Sequence, residues 1–377
     1  MLEDRLDRSA PAVLFRDPAT VVRCDDPSRI DEAFEEIERG LARGLHAAGL
    51  ISYELCYALE PRLASLMPPS RKVPLIWFGL FREPDEIAAG ALDDAIAALG
   101  PPRPITDLRE GRGRADHARL VARVLDLVAA GDVYQVNLTF PMRFRHSGEP
   151  LSLYGALRAA QPVAHGGFAR FDGTSVISVS PELWIETVSS LATTRPMKGT
   201  AARGGDQAAD AAAKQALEAD PKQRAENLMI VDLLRNDLSR VSIPGTVRVP
   251  DLFAVETYPT FHALTSTVTA RLRPGVGLRD RIAALFPCGS VVGAPKIRAA
   301  EIIRMMEPEP RGFYTGALGR ISPRGDMKFN VAIRTATISA DGEGEYGVGG
   351  GIVADSDPNA EYDEALLKAK ILRACEM

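Results

Sequence analysis

One lysine, Lys198, stands between an apolar residue and a glycine in the stretch "TRPMKGTAAR" (194–203), with Arg195 and Arg203 on either side. Such a lysine can be a solvated charge, a clamp for a phosphate or carboxylate, or a nucleophile. The last role needs an amine, ordinarily protonated up to a pKa of about 10.4, to be held neutral by burial and neighbouring positive charge. A second reactive group lies in "NAEYDEALLKAK", where Glu361 and Glu364 are three residues apart and Lys368 follows one turn later. On a helix all three share a face. A helix start near Pro358 sets the acids close to its positive end. A solvated helix face carries the same pattern. Glu226 shifts the balance, because it precedes the apolar run "NLMIVDLL" and so stands at a wall of the interior. A carboxylate there needs a counter-charge. Three carboxylates from two helices suit a hard cation, and magnesium would keep waters and take an oxygen from an anionic substrate.

Two glycine-rich stretches invite a nucleotide reading and fail it. In "GSVVGAPKIR" (289–298), Ala294 and Pro295 separate Gly293 from Lys296, and no hydroxyl follows. A phosphate loop ends in Gly-Lys-Ser/Thr so that amides, lysine and hydroxyl converge. In "GVGGGIV", Ile352 occupies the place of the third glycine of a dinucleotide fingerprint. Each stretch remains open as a nest of backbone N–H groups for a carboxylate, or as a tight turn.

The elements that must position these groups alternate strands and helices in clusters. The reading gives an amphipathic helix in "PSRIDEAFEEIERGLARGLHAAG", strands in "GLISYEL" and "PLIWFGLF", and a proline-marked break near 100–114. A helix follows from Asp116 to Gly131, then strands in "VYQVNLTFPMRF", "GGFARF", "SVISVSPELWIET" and "SSLATTRPM". Residues 206–241 read as two helices jointed at Asp220-Pro221. Strands from "GTVRVP" to "FHALTSTVTARL", helices near 277–286 and 295–305, three further strands, and a helix over about 359–373 complete the chain. Strands joined by short turns pair antiparallel, and helices set between strand clusters argue α+β, not a doubly wound parallel sheet.

Composition narrows the function. The 377 residues are 46% hydrophobic and 25% charged with a net charge of −5, and no Lys/Arg block stands out, which argues against nucleic acid. No apolar run approaches the ~18 residues that span a bilayer, and the first residues, "MLEDRLDRSAPAVLF", resemble no targeting peptide. Cys24, Cys56, Cys288 and Cys375 show no CxxC spacing, so a reducing cytoplasm is expected rather than a disulfide framework or zinc site.

The stretches "VYQVNLT", "SVSPELWI", "RPMKGTAAR", "ENLMIVDLLRNDLSRV", "FHALTSTV", "FPCGSVVGAPKIRAAEII", "RGFYTGALG", "FNVAIRTATI" and "GVGGGIVADSDPNAEYDEALLKAK" occur in the order found in the chorismate-utilising enzymes, and over about residues 115–375 the chain resembles that family. The resemblance implies one large α+β fold, an antiparallel β-sandwich flanked by helices, with magnesium and chorismate inside. Residues 1–110 match more loosely, as an N-terminal α/β portion of the same fold, and 115–377 form the chorismate-binding catalytic region. Gln135 stands where water-adding members carry a lysine base; a glutamine cannot take a proton at neutral pH, so ammonia is the expected nucleophile. Lys198 stands where the anthranilate-forming and water-adding members carry alanine, and resembles the branch that aminates the 4-position.

On that resemblance Lys198 would attack the ring and ammonia would then displace it, with magnesium and the flanking arginines supplying the charge that frees the amine. Glu182 matches the general acid that protonates the leaving hydroxyl, which needs a raised pKa. Glu226, Glu361 and Glu364 match the magnesium-linked acids. Arg334, Lys368 and the amides of Gly349, Gly350 and Gly351 would clamp carboxylates. Thr200 and Ser290 would offer hydroxyls, Tyr314 would enclose the pocket, and His262 would stand near the ring or else be a satisfied core histidine. Val292 replaces the family's threonine, removing a donor, and "PAVLFRDP" lacks the tryptophan-site motif. The chain has no Gly-x-Cys-x-Gly loop, so the ammonia is expected from a glutamine amidotransferase on a separate chain. Anthranilate formation is the rival activity, and a non-catalytic chorismate-binding subunit the rival class.

Overall fold

The computed structural model describes residues 1–7 and 9–376. Two antiparallel sheets of ten strands each form its frame. The first runs, neighbour to neighbour, Gly293–Ala294, Gln135–Arg145, Glu343–Ile352, Thr335–Ile338, Thr174–Ser180, His165–Phe171, Leu2–Glu3, Ala12–Leu14 and Asp85–Ile87, with Thr106–Glu110 also on Gln135–Arg145. The second runs Met197–Ala202, Phe261–Arg271, Leu191–Arg195, Leu183–Val188, Met327–Val331, Ala317–Ile321, His46–Ile51, Ile76–Phe81 and Thr20–Cys24, with Arg248–Thr257 on Phe261–Arg271. The expected α+β β-sandwich is what forms. Residues 1–110 give strands to both sheets.

The sheets meet over a small core in which Leu50, Trp77 and Leu318 of the second face Phe171 and Val176 of the first. Trp77 stacks on Phe171 with ring centroids 4.4 Å apart. Two larger cores flank it, and the larger of them joins residues of both sheets, among them Val136 and Leu138 of the first and Ile51 and Phe329 of the second. Helices Ile30–Ala42, Pro221–Ser239, Leu278–Leu285 and Lys296–Met306 cover one. Helices Ala89–Ala97, Pro150–Ala160 and Pro358–Lys368 cover the other.

Two runs that read as single strands are each two strands in different sheets. "SVISVSPELWIET" breaks at Pro181 between Thr174–Ser180 and Leu183–Val188, and "KFNVAIRTATIS" breaks between Met327–Val331 and Thr335–Ile338. The two crossings are stitched together: the Val331 N–H donates to the Glu182 carbonyl at 3.0 Å, and the Val179 N–H to that of Arg334 at 3.1 Å. Pro181 has no N–H to continue a ladder, which favours the break there. The first expected helix is shorter than its pattern. It ends at Ala42, and "HAAGLI" is a strand between Ile76–Phe81 and Ala317–Ile321. Two-sided pairing there overrides the helical propensity of its alanines.

Candidate active site

The stitched crossings carry two of the expected side chains, Glu182 and Arg334, into a cavity of about 210 Å³. Trp184, two residues on, is buried against Phe286 and Phe329 and donates its indole N–H to the Leu285 carbonyl. Burying such a ring is worth on the order of 2 kcal/mol and anchors the turn. Glu182 is buried, and the Ser290 hydroxyl donates to its Oε1 at 2.6 Å. The Cys288 sulfur lies 3.2 Å from the same hydroxyl. Burial pushes the Glu182 carboxyl up to about 7, against the opposing pull of the Ser290 hydrogen bond, the Met197 N–H and the Lys198 charge.

Lys198 projects from Met197–Ala202 with a side chain 12% exposed, its Nζ 3.9 Å from Glu226 Oε2. Burial lowers its pKa; Glu226 opposes the shift and the like charge of Lys368 adds to it. The flanking arginines do not contribute as expected. Arg195, at the end of the Leu191–Arg195 strand, pairs with Glu256 at 2.5 Å, and Arg203, beyond the Met197–Ala202 strand, pairs with Asp210 at 2.7 Å. Gly199 makes the close approach possible. Its φ is 80°, and a Cβ there would stand 2.7 Å from Gln223 Oε1 on the Pro221–Ser239 helix.

That helix begins at Pro221, with Asp220 as the joint read in the sequence; its side chain accepts the Lys222 and Gln223 N–H groups. One turn in, Glu226 faces the cavity. The Pro358–Lys368 helix supplies Glu361, Glu364 and Lys368 from the other side. Burial raises the pKa of Glu226 and of Glu361, while Lys368, 2.7 Å away, lowers that of Glu364. Lys368 also donates to the Gly349 carbonyl at 2.7 Å. Among the described residues no three acid, histidine or cysteine side chains converge on one metal-sized point. Glu361 and Glu364 nevertheless approach each other over Gly350, where a Cβ would lie 3.0 Å and 3.9 Å from their oxygens. Hard oxygen donors whose burial goes partly uncompensated, beside open space for a substrate oxygen, fit a magnesium ion held by few protein ligands.

Gly349, Gly350 and Gly351 form neither a nest in a turn nor a dinucleotide loop. They lie in Glu343–Ile352, paired on one side with Asn137, Leu138 and Thr139, with the other edge at the cavity. The absent side chain of Gly351 gives room to two groups. A Cβ there would be 2.8 Å from Lys198 Nζ and 3.0 Å from Gln135 Nε2. Gln135 does not line the open cavity; it lies behind this glycine, fully buried, with both amide atoms lacking a hydrogen-bond partner among the described residues. Thr200, Ser290, Tyr314 and Arg334 do line it. Arg334 has φ 50° and donates to Gln161 Oε1 at 3.0 Å.

The structure corrects the placement of His262 near the ring. The residue is buried and absent from the cavity wall, with Nε2 2.9 Å from Asp210 Oδ1 and Nδ1 3.0 Å from Thr257 Oγ1. Both nitrogens are satisfied, as in a core histidine. Lys296, the lysine of "GSVVGAPKIR", bonds Asp237 at 2.5 Å and the Leu285 carbonyl, so it is no anion clamp. Val292 packs into the core, and Val291 meets the cavity instead. Lys222 and Gln223 also line the cavity and were not singled out from the sequence. The four-residue spacing of Lys222 and Glu226 on one helix face was the available signal.

The chain belongs to the chorismate binding enzyme family, which matches residues 11–374. Aminodeoxychorismate synthase component 1 of Klebsiella aerogenes is 42% identical over 269 residues, 71% of this chain and 59% of that relative. Anthranilate synthase component 1 of Pseudomonas aeruginosa is 41% identical over 259 residues, 69% of this chain and 52% of that one. The matched region thus spans less than two thirds of either relative. The crystal structure of anthranilate synthase component I from Streptococcus pneumoniae superposes with a TM-score of 0.82 at 25% identity, covering 97% of this chain and 92% of the other.

Proposed function

We propose that the protein converts chorismate and ammonia to 4-amino-4-deoxychorismate, the activity in the name of its Klebsiella relative, as a step toward 4-aminobenzoate and folate. The observation that carries this reading is Lys198, buried beside Glu182 in one cavity with its pKa lowered and that of Glu182 raised. Shifts in these opposite directions leave an amine free to attack and a carboxyl holding a proton.

In this reading Arg334, Lys368, Tyr314, Thr200 and the strand edge at Gly349–351 orient the carboxylates and ring of chorismate. Lys198 Nζ bonds to the ring as the C4–O bond breaks, and the hydroxyl leaves as water with the Glu182 proton. Ammonia then bonds at C4 as the lysine–ring bond breaks. The lysine leaves as a neutral amine, and the new ammonium returns a proton to Glu182. Gln135 Oε1, free of partners beside Lys198, can accept an N–H from the incoming ammonia but not its proton. Glu226, Glu361 and Glu364 would hold magnesium, which when bound draws electron density toward the ring carboxylate. The ammonia would come from a glutamine amidotransferase chain, in a reducing cytoplasm where the four cysteines stay free as they are here. Residues 1–110 and 115–377 serve this chemistry as one unit.

Anthranilate formation is the second reading, favoured by a relative of nearly the same identity. Mass spectrometry of the product from chorismate, ammonium and magnesium separates the two. Aminodeoxychorismate is expected from the wild type, and at least a hundredfold less from Lys198→Ala. Anthranilate with pyruvate, or an unaffected variant, sinks the reading. Turnover of glutamine by this chain alone would refute the separate amidotransferase.

A further inference from the structure

A second and larger cavity, about 820 Å³, opens against the first sheet. It shares only Tyr314 and Gly347 with the cavity of Lys198 and Glu182. Its walls are formed by segments 68–73, 110–116 and 304–314 and by one face of the first sheet. The size is that of a small-molecule site.

The charges on its wall do not balance locally. The carboxylates are already matched: Glu307 by Arg311, Glu309 and Glu345 by Arg143, and Glu343 by Arg145. Glu110 pairs with Arg373 and Asp116 with Arg119; Glu54 accepts the backbone N–H of Arg311 at 2.7 Å, and burial pushes its carboxyl toward the neutral form. Three guanidinium groups on the same wall, Arg71, Arg112 and Arg304, have no carboxylate within 4.0 Å among the described residues. Among the described residues each bonds only backbone carbonyls. Arg71 reaches Pro68 and Asp25, Arg112 reaches Thr139 and Met306, and Arg304 reaches Leu66, Glu307 and Pro308. These contacts bring all three toward segments 66–68 and 306–308. A guanidinium has five N–H donors, so two or more on each remain, and the Arg71 Nε is buried without a partner among the described residues. Half-buried positive charges without counter-ions are costly, and an anionic ligand relieves them.

The wall also has an apolar part, with Val73, Leu120, Phe140, Met306 and Phe313, beside hydroxyls such as Thr139, Thr335 and Thr337. We propose that this cavity binds a small organic carboxylate with an apolar body, held by Arg71, Arg112 and Arg304. A planar carboxylate matches the guanidinium fork, and the body takes the apolar wall. Its occupant also touches the segment that ends at Tyr314 and contains Arg311, whose Nη1 donates to the Val291 carbonyl at 2.9 Å on the rim of the catalytic cavity. The proposal does not rest on the catalytic reading.

Isothermal titration of the purified protein with benzoate, its neutral isostere benzamide, and inorganic phosphate tests it. Saturable benzoate binding is expected, at least tenfold weaker for benzamide, and at least tenfold weaker for benzoate in Arg304→Gln and in Arg112→Gln. Arg334→Gln, in the catalytic cavity, should leave it unchanged. Near-ultraviolet circular dichroism verifies that each variant is folded; where one is not, the benzoate–benzamide contrast on the wild type decides. No benzoate binding, equal binding of benzamide, tighter binding of phosphate, or a loss confined to Arg334→Gln would each overturn the proposal.

Discussion

At the residue scale the site separates two titratable groups by environment. Glu182 and Lys198 lose hydration together, and each is pushed toward its neutral form. A carboxyl with its pKa at about 7 is the proton donor below that pH and a carboxylate above it, so turnover limited by leaving-group protonation falls as pH rises through about 7. The Ser290 hydrogen bond favours the charged form, since a hydroxyl donates to a carboxylate. Ser290→Ala therefore raises the pKa and moves the alkaline limb of the pH–rate profile to higher pH, while Glu182→Gln removes the limb and lowers turnover roughly a hundredfold or more. A limb that stays in place in Ser290→Ala assigns it to another group. Glu182 was readable only through the family resemblance, because nothing in "SPELW" discloses burial. Cys288 beside it was unreadable, since its contact with Ser290 depends on the bend at 288–290.

At the element scale, function depends on where strands change sheets. The runs through Pro181 and Arg334 look continuous because both sheets bury alternate apolar residues, and a crossing of two or three residues barely interrupts that period. The helices were easier. Periodicity and the Asp220 cap mark the Pro221–Ser239 helix almost to the residue, and the Glu361, Glu364, Lys368 spacing puts all three at one cavity. What periodicity cannot say is which strand the helix will meet. Gly199 meets it, with φ 80° and Gln223 where a Cβ would go. Gly199→Ala should destabilise the protein by more than about 1 kcal/mol and misplace Lys198, giving a lower urea midpoint together with lower turnover. An unchanged midpoint would show that the strand shifts freely. His262 illustrates the converse: the motif is present, but the Gln207–Ala219 helix brings Asp210 onto its ring and takes it out of the cavity.

At the scale of the whole molecule, residues far apart in sequence hold the site from behind. Glu54, in the N-terminal portion, accepts the Arg311 and Gly312 N–H groups across 257 and 258 residues and tethers the segment that ends at Tyr314. Burial raises its pKa to about 7. The folded state therefore prefers the neutral carboxyl, and this contribution to stability is complete below its ordinary pKa of about 4.3 and is lost as pH rises through about 7. Glu54→Gln keeps the shape without the charge, so urea stability should fall less between pH 5 and pH 8 than in the wild type. Parallel curves for the two proteins would show that Glu54 keeps its charge in the fold at no cost.

The amino-acid sequence by itself determined the kinds of element, the antiparallel pairing of turn-linked strands, and a set of reactive residues matched to one family. These follow from interactions spanning a few residues: apolar period, helix caps, i to i+3 and i to i+4 spacing, and the chemistry of each side chain. Only the tertiary structure decided that Glu182 accepts a hydrogen bond from a hydroxyl 108 residues away, that Lys198 shares its space with Gln135 behind Gly351, and that three arginines without carboxylate partners among the described residues line a second cavity. Burial and charge balance are sums over everything packed around a group, and those neighbours are set by sheet order rather than by adjacency along the chain.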